Sequence, residues 1–190
     1  MTNGVFSDFE VDQMGFKFSD GDAYQSVNCV GSVEEEMESK TVTKSCRGVV
    51  VKNISKGTGN GMLKITAHVP WAVYAEAYGM ELDTLLVGVK AYGRNSRHKA
   101  FSVVMHITDE DGAEKLKAYP NCVMATGVSR KVENGAEEVA ELELELSVMP
   151  DEYGNGMYEA LVTELTDNTV KTTWMTAFEP ALVQSATTSA

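Results

Sequence analysis

The sequence predicts a mainly β fold, a β-sandwich or half-barrel of antiparallel strands, with one short central helix and one C-terminal helix. Three observations support this fold class. Runs rich in β-branched residues recur along the chain, the stretch AELELELSV alternates glutamate with leucine, and glycine-containing turn signals separate the runs. The two clearest helical patterns lie near residue 70 and near residue 170.

The length and composition indicate one ordinary globular domain. The chain has 190 residues, of which 43% are hydrophobic and 23% charged, so it can bury a core without disulfides or metals. We predict a single domain over residues 1–183. Residues 1–38 are expected to supply an N-terminal arm and the first strands, and residues 184–190 a flexible C-terminal tail.

The charge balance limits the classes of partner. The net charge of −12 repels nucleic acid phosphates and anionic lipid, which argues against non-specific binding to either. The first residues lack the basic and apolar regions of a signal peptide, and no apolar run approaches the roughly 20 residues of a membrane span. We therefore expect a cytosolic protein with no membrane partner.

The first half of the chain is expected to contain a long-looped hairpin and the central helix. The runs 40–54 and 62–69 have strand character, and the glycine-rich stretch SKGTGNG between them predicts a loop at 55–61. In PWAVYAEAYGM, Pro70 is placed to begin a helix and Gly79 to end it.

The second half is expected to contain further strands and the C-terminal helix. Strands are predicted at 84–92, 99–108 and 121–129, with a short helical or irregular stretch at 113–119. Asn134-Gly135 is a strong hairpin signal, so 140–148 should pair antiparallel with 121–130. The segment 157–165 fits a strand or a helix. The last helix has Thr166 or Asp167 as its cap and ends before Pro180.

The alternating stretch from residue 141 to 146 has one acidic and one apolar face. Three carboxylates about 7 Å apart repel one another by about 0.6 kcal/mol per neighbouring pair in water, so they must be solvated. The simplest interpretation is a solubilising surface. A second interpretation is the wall of a water-filled channel whose cargo is a polyanion. The acidic face consists of Glu141, Glu143 and Glu145.

Catalytic and metal-binding motifs are not evident in the sequence. The three cysteines have no C-x-x-C spacing, the three histidines are scattered, and no nucleophile or phosphate-loop motif occurs. We therefore expect no enzymatic activity, no cofactor and no metal. A carboxylate pair assembled only in three dimensions stays open as a possibility.

The C-terminal third resembles a known family. The alternating strand followed by MPDEYGNGMYEALVTEL and VKTTWMTAFEPALV is similar to the end of the major tail tube proteins of bacteriophages with long, non-contractile tails. The resemblance covers residues 120–183. It implies a tail-tube-like β fold, with six copies in a ring and rings stacked into a hollow tube that conducts DNA into the host.

The same resemblance implies partners and a location. Besides itself, the chain would contact the tape measure protein and DNA in the lumen without adhering to them, and tail-tip and tail-terminator proteins at the tube ends. It would belong to the virion tail and be assembled in the host cytoplasm.

On this resemblance, Glu141, Glu143 and Glu145 become candidates for the lumen wall, although the strand could equally lie on the outer surface. The glycine-rich connection supplies candidates for contacts between rings. These are Lys56, Gly57, Thr58, Gly59, Asn60 and Gly61.

The alternative function is a monomeric β-sandwich binding module that recognises a protein or a carbohydrate. Such a module should expose an aromatic platform. Trp71 and Trp174 both fall in predicted helices, where we expect core packing.

Overall fold

The computed structural model describes residues 6–21, 23–27, 29–135 and 139–185. Within these residues the chain forms eight strands, two α-helices and one short 3₁₀ helix. The strands are β1 (Glu10–Phe18), β2 (Gln25–Val27), β3 (Val30–Cys46), β4 (Val49–Ala67), β5 (Phe101–Thr108), β6 (Glu114–Met124), β7 (Leu142–Val148) and β8 (Tyr158–Leu161). The helices are α1 (Trp71–Ala77) and α2 (Asn168–Ala177), and the 3₁₀ helix spans Pro180–Val183.

All eight strands belong to one antiparallel sheet, which confirms the predicted fold class. The strand order is β2-β1-β5-β6-β7-β4-β3, and β8 also pairs with β6. Strands β7 and β8 share one edge of β6. The first half of β6 pairs with β8, and the last residues of β6 pair with β7. The sheet therefore divides at β6, with β7, β4 and β3 diverging from β8.

The main core lies on the concave side of this sheet. The two ends of the sheet approach each other, because β1 contacts β3. Buried side chains from β1, β4 and β7, such as Phe16, Ile65 and Leu146, meet there. Helix α1 packs into the same core through Val73 and Tyr74. The result is a half-barrel whose interior is filled by side chains.

A second, smaller core lies on the opposite face of β5 and β6, where α2 packs. Val104 and Leu116 contact Val170, Trp174 and their neighbours. The Trp174 indole Nε1 donates a hydrogen bond to the Lys117 carbonyl at 3.0 Å. The N-cap of α2 is Asp167, one of the two predicted caps, whose carboxylate accepts from the Thr169 backbone N–H at 2.7 Å.

The hairpin predicted at 40–69 exists, but its turn was placed wrongly. Residues 55–61 are not a loop, because β4 runs without interruption from Val49 to Ala67. The chain turns instead at Arg47-Gly48, whose φ angles are 51° and 79°. Two residues with positive φ form a tight turn that matches the twist of the flanking strands. Gly59 and Gly61 of SKGTGNG serve close packing rather than chain reversal.

Two other predicted elements were wrong. Residues 84–92 form a loop, in which Leu86 and Val87 are exposed rather than buried. Residues 114–119 are not helical, because they begin β6. Both faces of β6 are covered, one by the main core and one by α2, so consecutive side chains such as Ala118 and Tyr119 are buried on opposite faces.

The remaining strand predictions are confirmed in large part. The expected hairpin partner of β7 is correct, since Cys122–Met124 pair with Leu146–Val148, yet β4 provides its longer pairing. The segment left open between strand and helix contains β8. Residues 10–18 and 25–27 of the predicted N-terminal arm are strands of the sheet. Residues 1–5, and 186–190 of the predicted tail, lie outside the described residues.

Candidate functional site

Two exposed surfaces on strands β3, β4 and β7 stand out as candidates for function. We call them the acidic sheet face and the projecting hairpin. Within the described residues, no group of three or more His, Cys, Asp or Glu side chains could hold a metal ion. No helix in that part of the chain combines the length and hydropathy needed to cross a bilayer.

The acidic sheet face is the convex side of β3, β4 and β7. Register places the residues of the three strands in rows, because directly opposite residues of antiparallel strands point to the same side. One row contains Glu34, Lys64 and Glu145, and the next contains Ser32, Thr66 and Glu143. The carboxylates of this face belong to Glu34, Glu36, Glu141, Glu143 and Glu145.

The sequence prediction for β7 is therefore confirmed in its geometry. Leu144, Leu146 and Val148 are at most 1% exposed, whereas Glu143 is exposed and Glu145 half-buried. The sequence did not show that β3 adds two more glutamates to the same surface. With five carboxylates and the single ammonium of Lys64, the face carries a net charge of −4 (−5 + 1). Such a surface repels polyanions.

Glu141 occupies the edge of this face, beyond the end of β7. Its carboxylate lies directly over Gly31 of β3, where any side chain on residue 31 would collide with it. A β-bulge between Val30 and Ser32 sets Gly31 apart from the regular ladder. The absence of a side chain at Gly31 thus allows the third predicted glutamate to reach across to β3.

The projecting hairpin consists of residues 39–57, the far ends of β3 and β4. Every residue of this segment is exposed, so it has no core of its own. From Ser39 to Cys46 it extends for about 25 Å at the usual rise of a strand. A two-stranded hairpin without a packed face is at best marginally stable in water. Within one copy, the projecting hairpin is therefore held together by its own cross-strand pairing alone.

Close backbone packing fixes the base of the projecting hairpin. The loop after β7 lies against β4, where Gly59 and Gly156 allow the approach, and Gly61 leaves room for Met37 of β3. A methyl group on Gly59 would lie 2.8 Å from the Cβ of Pro150, and one on Gly61 would lie 2.6 Å from the Met37 sulfur. One on Gly156 would collide with the Gly59 carbonyl. The hairpin consequently leaves the domain in a direction set by packed backbone.

A polar cluster, of which Lys117 and Tyr119 are buried, also ties the base of β3 to β6. Lys117, only 6% exposed, points into the main core and lies 2.7 Å from Glu35 and 3.7 Å from Glu159. The Tyr119 hydroxyl donates to the same Glu35 carboxylate. Burial, together with this hydrogen bond, raises the pKa of Tyr119 well above its ordinary value. These contacts hold the base of β3 over the core.

The predicted ring-contact residues lie partly on the projecting hairpin. Lys56 and Gly57 are exposed at its base, Thr58, Gly59 and Asn60 are half-buried, and the last of the set, Gly61, is buried. The remainder of the hairpin was missed. One signal could have revealed it: residues 39–57 contain five basic residues and no acidic one, in a chain with a net charge of −12.

The prediction that both tryptophans pack in the core is right for one of them. Trp174 is 1% exposed, as expected, but Trp71 is 51% exposed, because α1 presents it outward beneath the Arg130 guanidinium at 4.5 Å. Cys122 is buried, while Cys29 and Cys46 are exposed, and all three are free thiols.

Comparison with known proteins gives no family assignment. No family model matches the chain, and no curated protein matches it. A chain of the anti-feeding prophage baseplate, solved by cryo-EM with six-fold symmetry, is similar with a TM-score of 0.47 and 13% identity. That match covers 87% of this chain and 100% of the other.

A second solved structure, the cap that terminates the anti-feeding prophage tube, gives a TM-score of 0.47 and 9% identity. It covers 85% of this chain and 98% of the other. Similarity at this level does not assign a function to the chain.

Proposed function

We propose that this protein is a structural subunit of a phage-type tail, which self-assembles as hexameric rings stacked into a hollow tube. The observation that carries the proposal is the projecting hairpin. It is a regular two-stranded element, and no other part of the described chain packs on it. A neighbouring subunit would supply the missing contacts. The proposal depends on this hairpin, on the acidic sheet face and on the resemblance of residues 120–183, not on the two structural neighbours.

The acidic sheet face gives the tube its second property. A wall of glutamates would let DNA and a tape measure protein pass without adhesion, because carboxylates offer phosphates no counter-charge. In this proposal Glu141, Glu143 and Glu145 face the lumen, and α2 packs on the same convex side of the sheet, over β5 and β6. Tail-tip and tail-terminator proteins would meet the tube ends in the virion tail. The function is geometric and needs no enzymatic activity.

The first experiment tests assembly and its dependence on the hairpin. Ser39 and Gly57 are opposite in register, so a two-residue Asn-Gly turn can replace residues 40–56 without disturbing the base. Light scattering and negative-stain electron microscopy over a concentration range should show rings or tubes for the full chain. The shortened variant should remain monomeric and should unfold at an unchanged denaturant concentration.

Two results would contradict the proposal. If the shortened variant forms tubes, the hairpin is not part of the contacts between subunits. A full chain that stays monomeric at every concentration, also in the presence of a tail-tip assembly, would favour the monomeric binding module.

A second experiment tests which side of the sheet faces the lumen. In assembled tubes, the double reversal Glu143→Lys and Glu145→Lys should retain duplex DNA that wild-type tubes release, and the retained DNA should resist nuclease. If the variant tubes retain DNA but nuclease digests that DNA, the acidic sheet face lies on the outside of the tube.

A further inference from the structure

The projecting hairpin has two chemically different faces. On one face, Thr41 donates to Ser55 at 3.5 Å and Thr43 donates to Asn53 at 3.3 Å, so cross-strand hydrogen bonds satisfy the side chains. The other face, which we call the lysine face, has two cross-strand lysine pairs with an apolar pair between them. Its members are Lys40 opposite Lys56, Val42 opposite Ile54, and Lys44 opposite Lys52.

The lysine face is unfavourable in an isolated subunit. Like charges directly opposite each other on antiparallel strands destabilise the pair. The ion pairs of the described residues all lie outside the projecting hairpin. Between the lysines, Val42 is 57% exposed and Ile54 is 37% exposed. A surface with four ammonium groups around an apolar centre matches an anionic surface that also offers apolar area.

We infer that the lysine face docks onto carboxylates of a second copy of this chain, with the pair Val42 and Ile54 packing at the centre of the contact. This inference rests on the proposed function and deepens it by naming the chemistry of the subunit joint. Assembly is then controlled by ionic strength, because the joint consists of exposed charges that salt screens.

The distribution of charge favours a second copy as the occupant. The projecting hairpin carries five basic residues and no acidic residue, which gives +5. The rest of the chain then carries 11 basic and 28 acidic residues, which gives −17. The charge that another copy can present is therefore predominantly opposite in sign to that of the hairpin. A nucleic acid backbone would also attract the lysines, but its phosphates provide no apolar partner for Val42 and Ile54.

The test combines cross-linking with matched charge variants. Copies labelled with ¹⁴N and ¹⁵N are mixed, assembled and treated with a zero-length carbodiimide, which joins lysine amines to carboxylates. Mixed-isotope cross-linked peptides should connect the lysine face with Asp or Glu of another copy. The double variant Lys44→Gln and Lys52→Gln should raise the concentration needed for assembly about tenfold, as expected for the loss of about 1.4 kcal/mol.

The control removes the same charge elsewhere. Lys131→Gln and Lys171→Gln lie outside the hairpin and should change the assembly concentration less than twofold. Raising the salt from 50 to 500 mM should weaken wild-type assembly and should have a smaller effect on the Lys44 and Lys52 variant.

Each contrary result is distinct. This inference is overturned if assembly does not depend on salt, if the variant with Lys44→Gln and Lys52→Gln assembles normally, and if the cross-links lie outside the lysine face. The tube proposal is unaffected by these results. Binding of a labelled DNA duplex that this variant abolishes would make nucleic acid the occupant. A wild type that forms no assembly and no mixed-isotope cross-links overturns both.

Discussion

Strands β3 and β4 pass through two regions with the same backbone pairing and opposite surroundings. In the base, where Val30–Met37 pair with Gly61–Ala67, side chains such as Leu63 and Ile65 are at most 1% exposed. In the projecting hairpin, every residue is exposed. The same ladder of hydrogen bonds therefore lies in two environments. Burial stabilises the base, whereas the projecting hairpin leaves its apolar and charged side chains exposed to solvent.

The sharpest test of this comparison uses two apolar residues of the same strand. Leu63→Ala in the base should lower the free energy of unfolding by about 2–5 kcal/mol, because it leaves a cavity in the main core. Ile54→Ala in the projecting hairpin should change it by less than about 0.5 kcal/mol. Urea denaturation of the monomer measures both. A comparable loss for the two variants would show that the hairpin packs on its own domain.

The polar cluster under the base predicts a loss that depends on pH. Tyr119→Phe removes the hydrogen bond to Glu35 and should destabilise the monomer by about 1.5–3 kcal/mol at neutral pH. The pKa of Tyr119 is raised in the folded state, so this residue favours folding below its unfolded pKa of about 10. Above pH 10 the unfolded chain releases that proton while the folded chain keeps it.

The stability that Tyr119 contributes is therefore lost as the pH rises above 10, and the difference between wild type and Tyr119→Phe should shrink there. Urea denaturation between pH 7 and pH 11 measures this difference. If the difference in unfolding free energy between the two proteins stays constant up to pH 11, Tyr119 has the same pKa in the folded and unfolded states.

Two glycines at the boundary between base and hairpin make the next test. Gly59 has a φ of 80° and lies against Pro150, so Gly59→Ala should cost about 1–3 kcal/mol. Gly57, two residues away, has open space around its Cα, and Gly57→Ala should be neutral or stabilising by up to about 1 kcal/mol. Denaturation curves of both variants locate the boundary. Equal effects would mean that packing on the Pro150 loop does not fix the hairpin.

Much of the fold was predictable because its signals are local. The alternation in β7, the proline and glycine around α1, and the Asp167 cap of α2 each depend on neighbouring residues, and each prediction is confirmed. The sequence also indicated correctly that the glutamates of β7 face away from the core.

The failures have one physical cause, which is that tertiary packing is not visible in a local pattern. SKGTGNG has the composition of a loop, yet Gly59 is needed where the Pro150 loop approaches β4. The stretch predicted as helical or irregular at 113–119 begins β6 instead, where Lys117 pairs with the distant residue Glu35. Glu34 and Glu36 join the acidic sheet face only through the register of β3 on β4.

The smallest expected effect concerns the acidic sheet face itself. Glu143→Gln with Glu145→Gln should change the free energy of unfolding by less than about 0.5 kcal/mol, because these side chains are solvated and their repulsion is screened. Urea denaturation at 50 and 500 mM salt measures the change, with Lys44→Gln and Lys52→Gln as the hairpin counterpart. If neutralisation destabilised the monomer by more than about 1 kcal/mol, the glutamates would serve the fold through Lys64, and their alternation would need no lumen to explain it. A negligible change means that Glu143 and Glu145 contribute little to the stability of the monomer, as expected for a solubilising surface and also for the lumen wall proposed above.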